Sequence, residues 1–491
     1  MKQATIVIRD EVNIKIEGLD LDMRRRLVTA FKYDVPYARY LPAVRLGRWD
    51  GKVSYFQLGG STFTNLLPEI LPLLEQYNWD VELDDRRDYS VSFEFEPVTE
   101  TTWAHKSWPQ GHPAEGDPIM LRDYQVEIVN NFLASPQCIQ EVATGAGKTI
   151  MTATLSAAVE PYGRSIVIVP NKSLVTQTEK DYRNVGLDVG VYFGDRKELG
   201  RTHTICTWQS LNVLLKNTKN GTAADTIQDF IEGVVCVMVD EVHMAKADAL
   251  KTLLTGIMSR IPIRWGLTGT IPKEKFESQA LLVSLGPVIG RLSANELQQQ
   301  GVLAQCHVNI VQLQDHVEYS NYQSELKYLL EESGRLDAMA ELIQHVNETG
   351  NTLVLVDRVA AGTELVARLG DRAVFVSGAT KAKDRQDEYD EVAESSDKII
   401  VATYGVAAVG INIPRIFNLV LVEPGKSFVR VIQSIGRGIR KAEDKDHVQI
   451  WDITSTCKFA RRHLTKRKAY YREANYPFTQ EKLEWMTTHK I

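Results

Sequence analysis

Two closely spaced glycines precede a lysine and a threonine in Thr144-Gly145-Ala146-Gly147-Lys148-Thr149. That order suits phosphate. Gly145 and Gly147 let the backbone aim N–H groups at phosphate oxygens. Lys148 adds a point charge for the β- and γ-phosphates, and the Thr149 hydroxyl is a ligand for Mg²⁺. The general phosphate-loop pattern asks for glycine where Val142 stands. A second group lies downstream, where Asp240 and Glu241 end the apolar run 234–240. Asp240 would hold Mg²⁺, and Glu241 would orient and deprotonate an attacking water. The bland alternative is an Asp-Glu pair that caps a helix. A third group is Gln433, Arg437 and Arg440, spaced by four and three residues so that Arg437 shares a helical face with each of the others. Guanidinium forks match phosphate geometry. If they reach the γ-phosphate from another part of the chain they act as arginine fingers, worth roughly 10³–10⁵ in rate. The alternative is a solvated basic face. Together the three groups spell hydrolysis of a nucleoside triphosphate with Mg²⁺.

Such groups need rigid strands to carry them. From about 119 onward, short apolar runs alternate with helical patterns. The runs are 165–170, 234–240, 351–357, 372–378, 397–403 and 417–423. Continuous apolar strands are buried on both faces, as in parallel sheets. Residues 138–142 are a weaker strand candidate before the phosphate loop, and a helical pattern follows it. The alternation breaks near 286–301, which divides this region into two α/β halves. Residues 1–96 read as a small α/β unit that begins with a hairpin around Arg9-Asp10-Glu11. Residues 97–118 carry four prolines among polar residues and read as a linker.

Two stretches are basic in a chain of net charge −6. Residues 24–52 hold eight Lys or Arg against two acids, with Phe31, Tyr33, Tyr37, Tyr40 and Trp49 interleaved. Arg48 and Trp49 are the candidates there for phosphate contact and base stacking. The alternative is a solvated helix face with aromatics in the core. Residues 458–472 hold seven Lys or Arg and no acid. They could clamp nucleic acid or form a tail helix.

The motifs LRDYQ (121–125), ATGAGKT (143–149), VPNKSLVTQ (169–177), TWQSL (207–211), DEVH (240–243), LTGT (267–270), VATYGVAAVGINIP (401–414) and QSIGRGIR (433–440) occur in the order of superfamily 2 helicases. The chain resembles that superfamily over roughly 119–456, although Asn412 stands where many members have Asp. The resemblance implies an α/β fold with two tandem RecA-like parallel-sheet motor domains, preceded here by the small α/β domain. The expected domains are therefore 1–96, a linker 97–118, a first motor domain 119–295, a second 296–456 and a basic segment 457–491. It also implies that Gln125 bonds the adenine edge and that Gly410 joins residues 144–149 at the nucleotide. Pro170, Thr207, Gln209 and Thr403 would contact nucleic-acid phosphates without reading sequence. His243 and the Thr268 and Thr270 hydroxyls would link the nucleotide site to the second half. With Gly47-Arg48-Trp49-Asp50-Gly51, the chain looks most like the UvsW-type helicases of tailed phages. Those act on branched DNA and RNA–DNA hybrids. That setting makes DNA the expected partner, with RNA in hybrids, and single-stranded-DNA-binding or recombination proteins as further partners.

Composition excludes other classes. No apolar run reaches the length of a membrane span. The N-terminal stretch has charges inside its apolar run, which argues against a signal peptide. Cys138, Cys206, Cys236, Cys306 and Cys457 are far apart, so no metal knuckle or disulfide framework is expected. Free thiols fit the cytoplasm, the host's if a phage encodes the protein. Two other readings use the same motor: a restriction-type nuclease subunit and an RNA helicase. The first needs a carboxylate–carboxylate–lysine cluster that residues 1–96 do not display.

Overall fold

The computed structural model describes residues 2–485 except 89, 111, 113, 223, 242–246, 379, 381–387, 390, 393, 407–412, 414, 428–433, 437 and 440–443, and only the backbone of 247 and 248. The chain groups into two compact units, Met1–Val142 with Gly147–Arg291 and Ala143–Ala146 with Leu292–Ile491.

In the first unit, strands Lys2–Ile8 and Asn13–Glu17 form the expected hairpin, with Ile6 opposite Ile16. Asp10 closes its turn by accepting hydrogen bonds from the Val12 and Asn13 amides. Trp79–Asp85 and Ser61–Phe63 complete a four-stranded sheet. Helices Leu21–Ala30 and Leu67–Gln76 bury Leu27, Ile70 and Leu74 among Ile14 and Ile16. Val283 belongs to the same apolar cluster, although it lies on the helix Lys275–Leu285. The Tyr55 hydroxyl donates to the Phe276 carbonyl at 3.1 Å. The Asn13 amide donates to Thr255 O at 2.9 Å, and Gln137 donates to Glu11 O at 2.8 Å. The N-terminal sheet is thus welded to the helices and the strand that carry Thr255, Phe276 and Gln137. The described residues of 97–118 make an isolated bridge, Ser107 to Pro118, but no helix or longer strand. They are anchored all the same: buried Trp103 donates from Nε1 to the Thr154 hydroxyl at 2.8 Å.

The larger sheet of this unit has the order Arg196–Lys197, Val189–Phe193, His203–Thr207, Arg164–Val169, Val234–Asp240, Ile263–Thr268, Gln137–Val142, Val288–Leu292. The five central strands, from His203–Thr207 to Gln137–Val142, pair in parallel. Arg264 is fully buried in it and donates to the carbonyls of Leu254, Met258 and Ser284. A cation on these carbonyls satisfies groups at the ends of the helices Ala247–Thr255 and Lys275–Leu285.

In the second unit the order is Ala373–Val376, Ile399–Thr403, Thr352–Val356, Asn418–Val422, His447–Ser455, Gln305–Leu313, Phe478–Leu483. Every pairing in it is parallel. The segment after 457 supplies the helix Lys458–Glu473 and the edge strand Phe478–Leu483. Arg335, fully buried, pairs with Asp315 at 3.2 Å and with Glu423 at 2.7 Å. Asp315 also accepts from Tyr328, Ser455 and Trp485. Breaking a buried pair of this kind by removing one partner costs about 3–5 kcal/mol.

Burial pushes the Glu423 carboxyl up from 4.5 to about 7, against the pull of Arg335. The folded chain therefore holds this proton more tightly than the unfolded chain. The contribution is full below about pH 4.5 and is lost as the pH rises toward 7. Glu423→Gln mimics the protonated form. Relative to the parent, its unfolding free energy in urea should rise by roughly 2–3 kcal/mol between pH 5 and pH 8. An unchanged difference would show that Glu423 stays ionised.

Candidate nucleotide-binding site

The strand Gln137–Val142 runs directly into the glycine loop, and the helix Lys148–Val159 leaves it. Val142 is 1% exposed, the last core residue of its strand. Its side chain is committed to the core, while its carbonyl faces Lys148 Nζ at 3.5 Å. The missing glycine is therefore a packing residue and leaves the loop itself intact. Gly145 and Gly147 have φ of +92° and +83°, a region that disfavours side chains. A Cβ on Gly147 would stand 2.5 Å from Gln125 Nε2. Gln125 is buried, and its Oε1 accepts from the Arg122 amide at 2.9 Å. Gln125, the adenine-edge candidate, lies against the loop at Gly147. Ala146 is fully buried, and Thr144 and Thr149 are half-buried.

Lys148 Nζ lies 2.7 Å from Glu241 Oε1, with side chains 10% and 11% exposed. Here the two sequence motifs meet. Glu241 has φ +51°, rare for a side chain other than glycine and worth about 1–3 kcal/mol of strain. Its amide donates to Asp240 Oδ1 at 2.9 Å, and the Gly269 amide lies 3.4 Å from its Oε2. Burial pushes the Asp240 carboxyl up to about 6; Lys148 opposes the shift and Glu241 adds to it. Such a site is short of positive charge. A divalent cation held by the Thr149 hydroxyl and Asp240 would supply it, and the chain's donors fit that group. Among the described residues no three His, Cys, Asp or Glu side chains could hold a metal by themselves. Phosphate oxygens and water would have to complete the shell.

The Thr268 hydroxyl donates to Thr270 O at 2.8 Å, which shapes the turn of LTGT. Glu141, which no motif marks, accepts from the Ile271 amide at 3.2 Å and pairs with Arg291 at 3.2 Å. It ties the strand before the phosphate loop to the turn after LTGT, a long-range contact with no sequence signal. Of the proposed strand-gripping residues, Gln209 donates to Pro170 O at 3.2 Å, so the structure brings these two together. The Thr207 hydroxyl caps the helix Trp208–Lys219 by accepting from the Ser210 amide. Thr403 is half-buried at the end of its strand. Arg48 is exposed, while Trp49 is half-buried against Val35, Ala38 and Phe276 and donates to Lys52 O at 2.8 Å. Gln433, Arg437, Arg440, Gly410, His243 and Asn412 lie outside the described residues.

Comparisons with known proteins agree with this geometry. Residues 118–273 match the family described as the type III restriction enzyme, res subunit, and residues 334–442 match the helicase conserved C-terminal domain. Together they span more than half of the chain. The chain belongs to the superfamily 2 helicases: two tandem RecA-like domains carrying an ATP-hydrolysing motor. Among its relatives is the ATP-dependent DNA helicase uvsW of Enterobacteria phage T4, 23% identical over 461 residues, which cover 90% of this chain and 88% of that one. The DNA 3'-5' helicase XPB of Kineococcus radiotolerans is 25% identical over 376 residues, 74% of this chain and 64% of that one. Two solved structures share the fold. The type ISP restriction-modification enzyme LlaBIII bound to DNA has TM-score 0.55 and 14% identity, over 86% of this chain and 36% of that one. The helicase MrfA bound to DNA and AMPPNP has TM-score 0.52 and 13% identity, over 74% and 52%. Among the described residues no helix is long and apolar enough to cross a membrane.

Lys148→Ala and Glu241→Gln should each reduce nucleic-acid-stimulated ATP hydrolysis by at least 10³-fold while the far-ultraviolet circular dichroism stays that of the parent. Turnover near the parent's in either variant would remove that residue from the chemistry. Gly147→Ala, which meets both an adverse φ and Gln125, should abolish binding of a fluorescent ATP analogue. Adding Gln125→Ala to it removes the clash but not the adverse φ, so recovery should be partial at most.

Proposed function

We propose that the chain is a DNA motor that remodels branched DNA or RNA–DNA hybrids in recombination, repair and replication. The observation that carries the motor reading is the Lys148–Glu241 pair at the end of the parallel strands. In this pair the ammonium neutralises the carboxylate that has to act as base. Phosphate oxygens are stronger partners for Lys148, and its transfer to them would free Glu241 to orient and deprotonate water. Bound Mg²⁺ would neutralise the charge that develops on the phosphates. Thr149 and Asp240 would hold it, the backbone amides at Gly145 to Lys148 would bind phosphate, and Gln125, set against the loop at Gly147, would bond the adenine edge. The motif order supports Gln433, Arg437 and Arg440 as the cations and amide that stabilise the transferring phosphoryl group, with Gly410 near the nucleotide. Arg437→Ala should then keep ATP binding and lose hydrolysis, measured by analogue binding and phosphate release on the same sample.

DNA as the track is supported by the T4 and XPB relatives, whose names state DNA. Pro170, Thr207, Gln209 and Thr403 are the motor's proposed phosphate contacts. The N-terminal surface adds a second contact. Lys32 and Lys52 of that surface are paired with Asp50 and Asp34, and Phe31 is in the core. Among those facing outward are Arg25, Arg39, stacked on exposed Tyr40 at 4.7 Å, Arg45, and Arg48, which precedes the half-buried Trp49. Cations with an exposed ring suit a backbone with a splayed base. The cytoplasm, the host's for a phage-encoded protein, and single-stranded-DNA-binding or recombination proteins as partners complete the proposal.

ATP hydrolysis compared across single strand, duplex, fork, Holliday junction and R-loop tests it. Forks, junctions or R-loops should stimulate at lower concentration than plain duplex. Equal stimulation by all five would leave a motor without branch preference. Arg39→Ala/Arg45→Ala/Arg48→Ala should raise the fork concentration for half-maximal stimulation roughly 10-fold. No change would make the N-terminal surface structural.

A further inference from the structure

We propose that the outward face of the helix Lys458–Glu473 grips the phosphate backbone of a nucleic-acid strand through Lys458, Arg461, Arg462 and Lys466. The inference deepens the motor reading and rests on it.

The helix has two faces of different fate. Ala460, Leu464, Arg467 and Tyr471 recur at helical spacing and are buried. Arg467 is used up there, bonded through both forks to Asp452 at 2.8 Å. Lys468 donates to Gln480 at 2.7 Å, and both Lys468 and Arg472 lie over the Phe478 ring. Of the seven cations, four then remain: Lys458, Arg461, Arg462 and Lys466. All four are exposed, and none has a carboxylate partner among the described residues. A chain of net charge −6 has acids to spare, so four unpaired cations on two turns are a local feature with an electrostatic cost.

Their arrangement is also fixed. Lys458 and Arg462 both lie over the Phe459 ring, at 5.9 and 5.8 Å, and that ring packs on Tyr322. The two charges are thereby held on one side of the helix. Beside them is an open cleft of about 500 Å³ lined by Lys458, Arg461, Arg462, Thr465 and Glu318, so cations outnumber acids three to one. The attraction does not come from the helix end, because buried Glu325 already takes the Phe459 and Ala460 amides at 3.0 and 2.7 Å. The density of charge is felt next door: His463 is pushed down to about 4, first by burial and then by Arg467, Lys426 and Lys466.

Length selects a strand over a lone phosphate. From 458 to 466 the helix rises about 12 Å. One phosphate cannot reach that whole row, whereas a strand offers a charge about every 3.4 Å of axis. The contact carries no base-edge readers, so it should not depend on sequence.

The test uses the full chain and a labelled 30-nucleotide single strand and fork, with affinity measured from 50 to 200 mM KCl. Lys458→Ala/Arg461→Ala/Arg462→Ala should flatten the slope of log affinity against log salt by about 2–3, since each lost phosphate contact removes roughly 0.7–0.9. Affinity at the lowest salt should fall roughly 10- to 100-fold. Arg461→Lys/Arg462→Lys keeps the charge and should keep the parent slope. Arg461→Glu alone should weaken binding and give a second reading that needs only one exposed substitution. Parent-like slope and affinity in the triple variant would overturn the proposal. So would displacement of the strand by millimolar inorganic phosphate at constant ionic strength, because that marks a small-anion site. If the parent's ATP hydrolysis is stimulated by DNA and the triple variant binds like the parent, only this surface fails; an unstimulated parent means that the motor reading fails.

Discussion

A charge held at the end of a buried strand has to be balanced, and Glu241 balances Lys148 at 2.7 Å. Much of the first unit is arranged to make that possible. The strand Gln137–Val142 is third in line from Val234–Asp240, with Ile263–Thr268 between them. Parallel pairing puts the ends of all three at one edge of the sheet, so the glycine loop, the Asp-Glu pair and LTGT arrive together. The strained backbone at Glu241 is held by its bonds to Lys148, Asp240 and Gly269.

The same unit fastens other elements to the helices beside this edge. Arg264 binds carbonyls at Leu254, Met258 and Ser284, and so ties together the helices that come after the Asp-Glu pair and LTGT. The N-terminal region fastens to those two helices: Asn13 bonds Thr255, Tyr55 bonds Phe276, and Val283 joins its apolar cluster. The proposed substrate contact on the N-terminal surface and the proposed base Glu241 therefore lie in one compact unit. In the second unit, an Arg335 cluster and an Arg467–Asp452 pair serve as polar fasteners beneath a helix whose outward side is cationic.

Much of the candidate nucleotide site was legible in the sequence, because the chemistry proposed for it needs particular residue types at short spacing. Gly147, Lys148 and Thr149 can hardly be read otherwise once Asp240 and Glu241 follow an apolar strand. The six continuous apolar runs were legible for a similar reason: a strand covered on both faces has no polar side. Strands such as His203–Thr207 escaped the pattern. His203 and Thr204 are polar yet wholly buried, and His203 is satisfied by Ser165 across the sheet at 2.8 Å. Glu141 and Arg264 were equally invisible: Glu141 is met by an amide 130 residues away, and Arg264 spreads over carbonyls 6, 10 and 20 residues away that no pattern marks.

The class of chemistry, the α/β alternation and the candidates for phosphate, metal and base can be read from the chain as a string of letters. They depend on residue type and on periods of two and 3.6. Three-dimensional packing was needed to show that Val142 is a core residue, that Gln125 lies against Gly147, and that Lys148 meets Glu241. It also divided the basic helix into buried Arg467 and exposed Arg461. A basic side chain reads the same in a sequence whether it faces water or Asp452. Which of the two it faces depends on strand order and helix orientation, which long-range packing sets.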